Sequence, residues 1–220
     1  MRPRGTGVPG RTGLYRLAGA LTVLVLGALA TASALDVALA SRLVAENGVV
    51  EWLQVVVLIG AGATCLRLAA LDRAEGESGA PDVLLAAGFA FVVVSEMELP
   101  KLLVGKIRLD RLMRDVAAGL PRQTIFVVVV AGLALGAAIY ALQHLPELLA
   151  WSGSALGTDW GRLFYLAAAI LVITELFERA LNRMMASVGL PGPLLEETLE
   201  LIASVYCLIA MRHRAAARYR

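Results

Sequence analysis

The sequence predicts an all-α bundle of about six membrane-spanning helices, and three observations carry that expectation. Apolar residues make up 59% of the 220-residue chain and charged residues only 17%, against roughly half and a quarter in soluble domains. The mean hydropathy is +0.74. Apolar stretches of about 20 residues recur along the chain, each long enough as a helix to cross a hydrocarbon layer about 30 Å thick. Crossings and short connectors use up the length, so no separate soluble domain is expected.

Residues 1–16 carry Arg2, Arg4, Arg11 and Arg16 among glycines and prolines and read as a disordered basic tail. The first span covers about 17–39. Ala32-Ser33-Ala34 also fits a signal-peptide cleavage pattern, but the apolar run continues past it to Ala40. The second span, about 49–70, opens with Glu51 and Trp52, and a polar connector follows from Leu71 to Pro81. The third, about 82–103, meets Pro100, which removes a backbone donor from its last turn. Over about 105–117, Leu109, Leu112, Met113 and Val116 fall on one arc opposite the charges, while Asp110/Arg114 and Arg111/Asp115 are spaced for ion pairs. This predicts a short interfacial helix.

The fourth span, about 123–142, contains Gly132 and Gly136 in a G-x-x-x-G. That spacing serves either ordinary packing within the bundle or a homo-oligomeric contact. Trp151 and Trp160 in the next connector suit the headgroup region. The fifth span covers about 161–179. Beyond Pro191-Gly192-Pro193 the sixth covers about 194–211, with a second basic tail over 212–220. The single transmembrane domain is thus 17–211. Cys65 and Cys207 lie in apolar runs and read as packing residues. An even number of spans puts both termini on one side. Their arginines place that side in the cytoplasm, and the composition associates the chain with a bacterial inner membrane.

Aligned by direction, nearly all the helix-end glutamates fall on the side away from the termini: Glu46, Glu51, Glu96, Glu98, Glu175, Glu178, Glu196, Glu197 and Glu200. Glu175 lies about 21 Å along its helix from Gly161, still within the hydrocarbon. Glu175 and Glu178 share a face, as do Glu197 and Glu200, and Glu196 and Glu200. A carboxylate in hydrocarbon costs at least about 2.5 kcal/mol, so these groups must face the bundle interior, water or a cation. The polar faces place spans two, three, five and six around this centre, with spans one and four outside.

Neither histidine lies near the carboxylates, and there is no nucleophile elbow, P-loop or dinucleotide fingerprint. Nothing points to nucleic acid. Carboxylates alone suit hard cations or protons. Four readings follow. A divalent ion (Mg, Ca or Mn) on Glu175 and Glu200, with Lys101, Lys106, Arg179 and Arg183 on a phosphate, would make a site for a phosphate-bearing lipid or small molecule. Protonatable glutamates would instead serve a proton- or cation-coupled transporter. A non-catalytic assembly subunit would use the small residues of the fourth span. In the last reading, a network of ion pairs satisfies the acids with no ligand.

Asn47-Gly48-Val49-Val50-Glu51, Glu96-Met97-Glu98-Leu99-Pro100-Lys101 and Glu196-Glu197-Thr198-Leu199-Glu200 resemble a group of uncharacterised bacterial polytopic membrane proteins. That group has an acid opening the second span, an acid-x-acid-x-x-Lys run ending the third and Glu-Glu-x-x-Glu opening the last. The resemblance covers most of the chain and implies a multi-span bundle with these residues as its notable groups. It implies no activity.

Overall fold

The computed structural model describes residues 11–44, 48–97 and 121–218. Among them are eight helices and no strand: α1 (Arg11–Leu35), α2 (Val37–Leu43), α3 (Val49–Ala74), α4 (Ala80–Glu96), α5 (Pro121–Gln143), α6 (Leu145–Leu156), α7 (Asp159–Ser187) and α8 (Leu194–Arg218). The interfacial helix expected over 105–117 lies outside the described residues, as do Glu46, Glu98, Pro100, Lys101 and Lys106.

Local chemistry sets the boundaries. The Asp36 carboxylate accepts from Ala38 N at 2.8 Å and starts α2, and the Thr158 hydroxyl accepts from Gly161 N at 3.1 Å at the start of α7. Pro146 opens α6, where a missing N–H costs nothing. The α3–α4 turn needs glycine at 79. Its φ is +60°, and a Cβ there would sit 2.8 Å from the Ala69 carbonyl oxygen.

Helix α8 is central, packing on α7, α3 and α1, while α3 also packs along α4. Their shared core contains Leu58, Ala61 and Cys65 of α3, Phe89 of α4, Leu163 and Ala167 of α7, and Ala203, Cys207 and Met211 of α8. Ala61, Ala167, Ala203 and Ala210 are fully buried, which lets backbones approach closely. Cys65 and Cys207 are free and buried, so they do act in packing. Leu14, Ala18 and Leu29 tie α1 into both core clusters, so α1 belongs to the packed body. Thr22 donates to Ala18 O at 3.0 Å, which leaves the Tyr206 hydroxyl as donor in the 2.7 Å bond joining α8 to α1. Helix α5 stands outside this core. A Cβ at Gly132 or Gly136 would meet nothing within 4 Å.

The outer surface is apolar. Val23, Phe91, Leu133 and Leu176 are each at least 70% exposed, a distribution suited to lipid contact. Among the described residues, three helices are long and apolar enough to cross a membrane: Gly13–Leu35 within α1, α3 and α7. A fourth is added if Val128–Gln143 and Leu145–Leu156, bent by 77°, form one broken span. This is fewer than the six expected, for identifiable reasons. The apolar part of α4, Ala80–Val94, is short, and the expected third span beyond Met97 lies outside the described residues. Helix α8 carries glutamates at one end and arginines at the other, leaving an uncharged stretch of about 16 Å from Leu201 to Met211. The expected basic tail does not begin at Arg212, because α8 continues to Arg218.

Candidate functional site

Four helices bring carboxylates to one end of the bundle. Glu51 sits in the first turn of α3 and is buried. Glu96 is the last residue of α4. Glu196 and Glu197 occupy the first turn of α8, with Glu200 one turn further along, and all three are half-buried. Glu175 and Glu178 approach from α7 with exposed side chains and form the rim. The groups are close enough for their charges to act on one another: Glu96 feels Glu51, Glu175 and Glu196, Glu197 feels Glu96 and Glu51, and Glu196 feels Glu178. Glu175 and Glu200 also interact, though Glu96 acts more strongly on Glu200.

Two amides complete the cleft. Gln54, one turn after Glu51 and only 1% exposed, donates its Nε2 to the Glu197 carbonyl at 3.3 Å. That carbonyl can only accept, so the amide nitrogen must face it and the Oε1 points elsewhere. Asn182 of α7 lies near enough to Glu196 to act on its carboxylate. The Gln54 Oε1, the Asn182 Oδ1 and the Glu197 Oε2 are buried and have no hydrogen-bond partner. All three are oxygens, so among the described residues they meet no donor or positive charge.

Of the expected basic partners, Lys101 and Lys106 lie outside the described residues, and Arg179 and Arg183 are not gathered here. Arg179 and Arg183 are exposed or at the surface of α7, and the Arg183 Nε donates to the Arg179 carbonyl at 3.0 Å. Among the described residues, Glu175, Glu178, Glu196, Glu197 and Glu200 form no ion pair. Nor does any group of three or more His, Cys, Asp or Glu residues there have an arrangement that could hold a metal ion. The divalent pair Glu175 and Glu200 therefore gains no third ligand from these residues.

A second polar centre lies at the opposite end of the bundle. Asp82, in the first turn of α4, has a fully buried side chain and forms a two-pronged ion pair with Arg214 of α8, one prong at 2.7 Å. The Arg214 guanidinium lies 5.4 Å from the Trp151 ring centroid and 5.1 Å from that of Trp160. One turn later Arg218 pairs with Asp72, with Glu75 at 2.7 Å and with Glu77 at 3.3 Å. The Glu75 contact, supported by Glu77 and Asp72, holds the Arg218 pKa above its usual value. Sequence reasoning placed these arginines in a tail and the tryptophans among headgroups. The pairing joins residues 132 positions apart, and the only local hint was an aspartate at the mouth of an apolar run.

No protein-family model, curated protein or solved structure matches this chain.

Proposed function

We propose that the chain is a multi-span membrane protein whose acidic cleft takes up protons or a small cation during transport across the bilayer. In this reading the spans are 17–39, 49–70, 82–103, 123–142, 161–179 and 194–211. The termini lie on the cytoplasmic side of a bacterial inner membrane and the cleft opens on the other side. The observation that carries the reading is the meeting of carboxylates from α3, α4, α7 and α8 beside buried oxygens that find no donor among the described residues. Intramembrane carboxylates arranged this way serve proton and ion pathways. The lipid-phosphate reading gains no support from Arg179 or Arg183, neither of which pairs into the cleft.

The test uses proteoliposomes containing a pH-sensitive dye and an imposed proton gradient. The wild type should dissipate the gradient or couple it to an added cation, and Glu96→Gln and Glu200→Gln should abolish that flux. The purified wild type should also change in thermal stability between pH 5 and pH 9, as about pKa-scale carboxyl interactions require. Absence of both flux and pH response would remove the proposal. The open face at Gly132 and Gly136 favours a second reading, an assembly subunit, and that outcome would then stand.

A further inference from the structure

We infer that α6 is an interfacial helix that docks on the lipid surface, seating Leu145, Leu149 and Leu156 among the acyl chains of the leaflet at the Arg214 end of the bundle. The inference rests on the multi-span reading but not on what the acidic cleft takes up. Helix α6 is bent by 77° from α5. Only His144 separates it from α5, and only Gly157 and Thr158 separate it from α7. It therefore joins the end of one span to the start of the next, at a single membrane boundary.

At 100° per residue the side chains of α6 divide into three sectors. Leu148, Trp151, Ser152 and Ala155 share the sector turned to the bundle. The Trp151 ring centroid lies 5.4 Å from the Arg214 guanidinium, the Ser152 and Tyr165 hydroxyls are 2.6 Å apart, and Ala155 is fully buried. Leu145, Leu149 and Leu156 fall within about 40° of one another on one flank, and all three are exposed. Glu147 and Ser154 are also exposed and lie about 170° from that stripe, on the other flank.

A contact with another element shows which flank faces water. Ser78, in the turn that joins α3 to α4, donates its hydroxyl to the Glu147 carboxylate, which fixes the Glu147 flank at the level of that turn. The same hydrogen bond lowers the Glu147 pKa, so the flank stays charged. The leucine flank, on the opposite side, then points back towards the middle of the membrane. Turning the helix over would carry the carboxylate among acyl chains, which lipid penalises. A helix with one apolar and one polar side lies at this boundary with the apolar side sunk about 5–10 Å.

The experiment places single cysteines in the full chain, labels each with a nitroxide and reconstitutes the protein in phosphatidylcholine vesicles. Collisions of the label with molecular oxygen, which concentrates among acyl chains, are compared with collisions with a water-soluble nickel chelate. Cys65 and Cys207 are free and buried, and the unsubstituted chain measures any labelling there. The oxygen-to-nickel ratio in Leu145→Cys, Leu149→Cys and Leu156→Cys should be several times that in Ala150→Cys and Ser154→Cys. Leu133→Cys and Leu176→Cys, on exposed apolar faces of α5 and α7, calibrate the lipid signal. Leucine sites closed to both reagents would be covered by protein, whether a second copy or residues 98–120, and would overturn the inference. Nickel access at all five α6 sites would place the helix in water, and an oxygen-rich signal at all five would make it part of a broken span. Either result overturns the inference while the spans stand. Loss of the oxygen signal at Leu133→Cys and Leu176→Cys as well would overturn the multi-span reading with it.

Discussion

The most informative single perturbation is at the far end of the bundle, where Asp82 meets Arg214. Asp82→Asn keeps the shape of the side chain and removes its charge. The Asp82 side chain is fully buried and that of Arg214 is only 14% exposed, so the remaining charge is left largely without solvent. Breaking one partner of such a pair costs about 3–5 kcal/mol. In Asp82→Asn the guanidinium keeps its contacts with Trp151 and Trp160, so the loss should fall near the lower bound, about 3 kcal/mol. Arg214→Met loses the ion pair and both ring contacts, each of the latter worth about 1 kcal/mol, and should approach about 5 kcal/mol. Once one charge is gone the other has nothing to pair with, so the double variant should lose at least about 1.5 kcal/mol less than the sum of the two single losses. Reversible unfolding in mixed micelles, followed by tryptophan fluorescence, measures all three. Three kcal/mol changes the unfolding constant more than a hundredfold, well within such a measurement. Additivity within about 0.5 kcal/mol would refute the reasoning, because uncoupled residues add.

Three further substitutions probe how closely the helices meet. In Gly161→Ala the new Cβ would lie 1.9 Å from the Ala155 carbonyl oxygen, so stability should fall by about 1–3 kcal/mol or more. Gly132→Ala, where no atom lies within 4 Å, should be neutral or gain up to about 1 kcal/mol in the same assay. Thr22→Val removes the bond to Tyr206 between α1 and α8 and should cost about 0.6 kcal/mol, the usual size of such bonds in membranes. A loss above about 2 kcal/mol would show that Tyr206 depends on Thr22 for more than this bond.

Helix content and the gathering of acids were legible in the sequence because both follow local periodicity. A glutamate at a helix end can be assigned a side of the membrane by counting residues. That is how Glu51, Glu96 and Glu200 could be placed together before any contact was known. Gln54 was legible only as part of a polar face. Its role depends on which atom faces the Glu197 carbonyl, which spacing cannot reveal. Arg214 and Arg218 were misplaced for a different reason. Basic residues after an apolar run look like a solvated tail, and only the approach of α4 and the α3–α4 turn draws them onto α8. The outward position of α5 was anticipated from its lack of charge, whereas the packing of α1 on α8 was not, since apolar spans carry no sign of which neighbour they prefer.

The two ends of α8 are held in different ways, and this gives the helix mechanical leverage. At one end Arg214 and Arg218 are gripped by four carboxylates and two indoles. At the other, Pro191 and Gly192 lead into the glutamates, which repel one another. With the grip as pivot, Glu197 lies about 26 Å along the rod, so a tilt of about 5° carries it roughly 2 Å while Arg214 barely moves. A substitution at Asp82 would therefore loosen the pivot and disturb the acidic end without touching it.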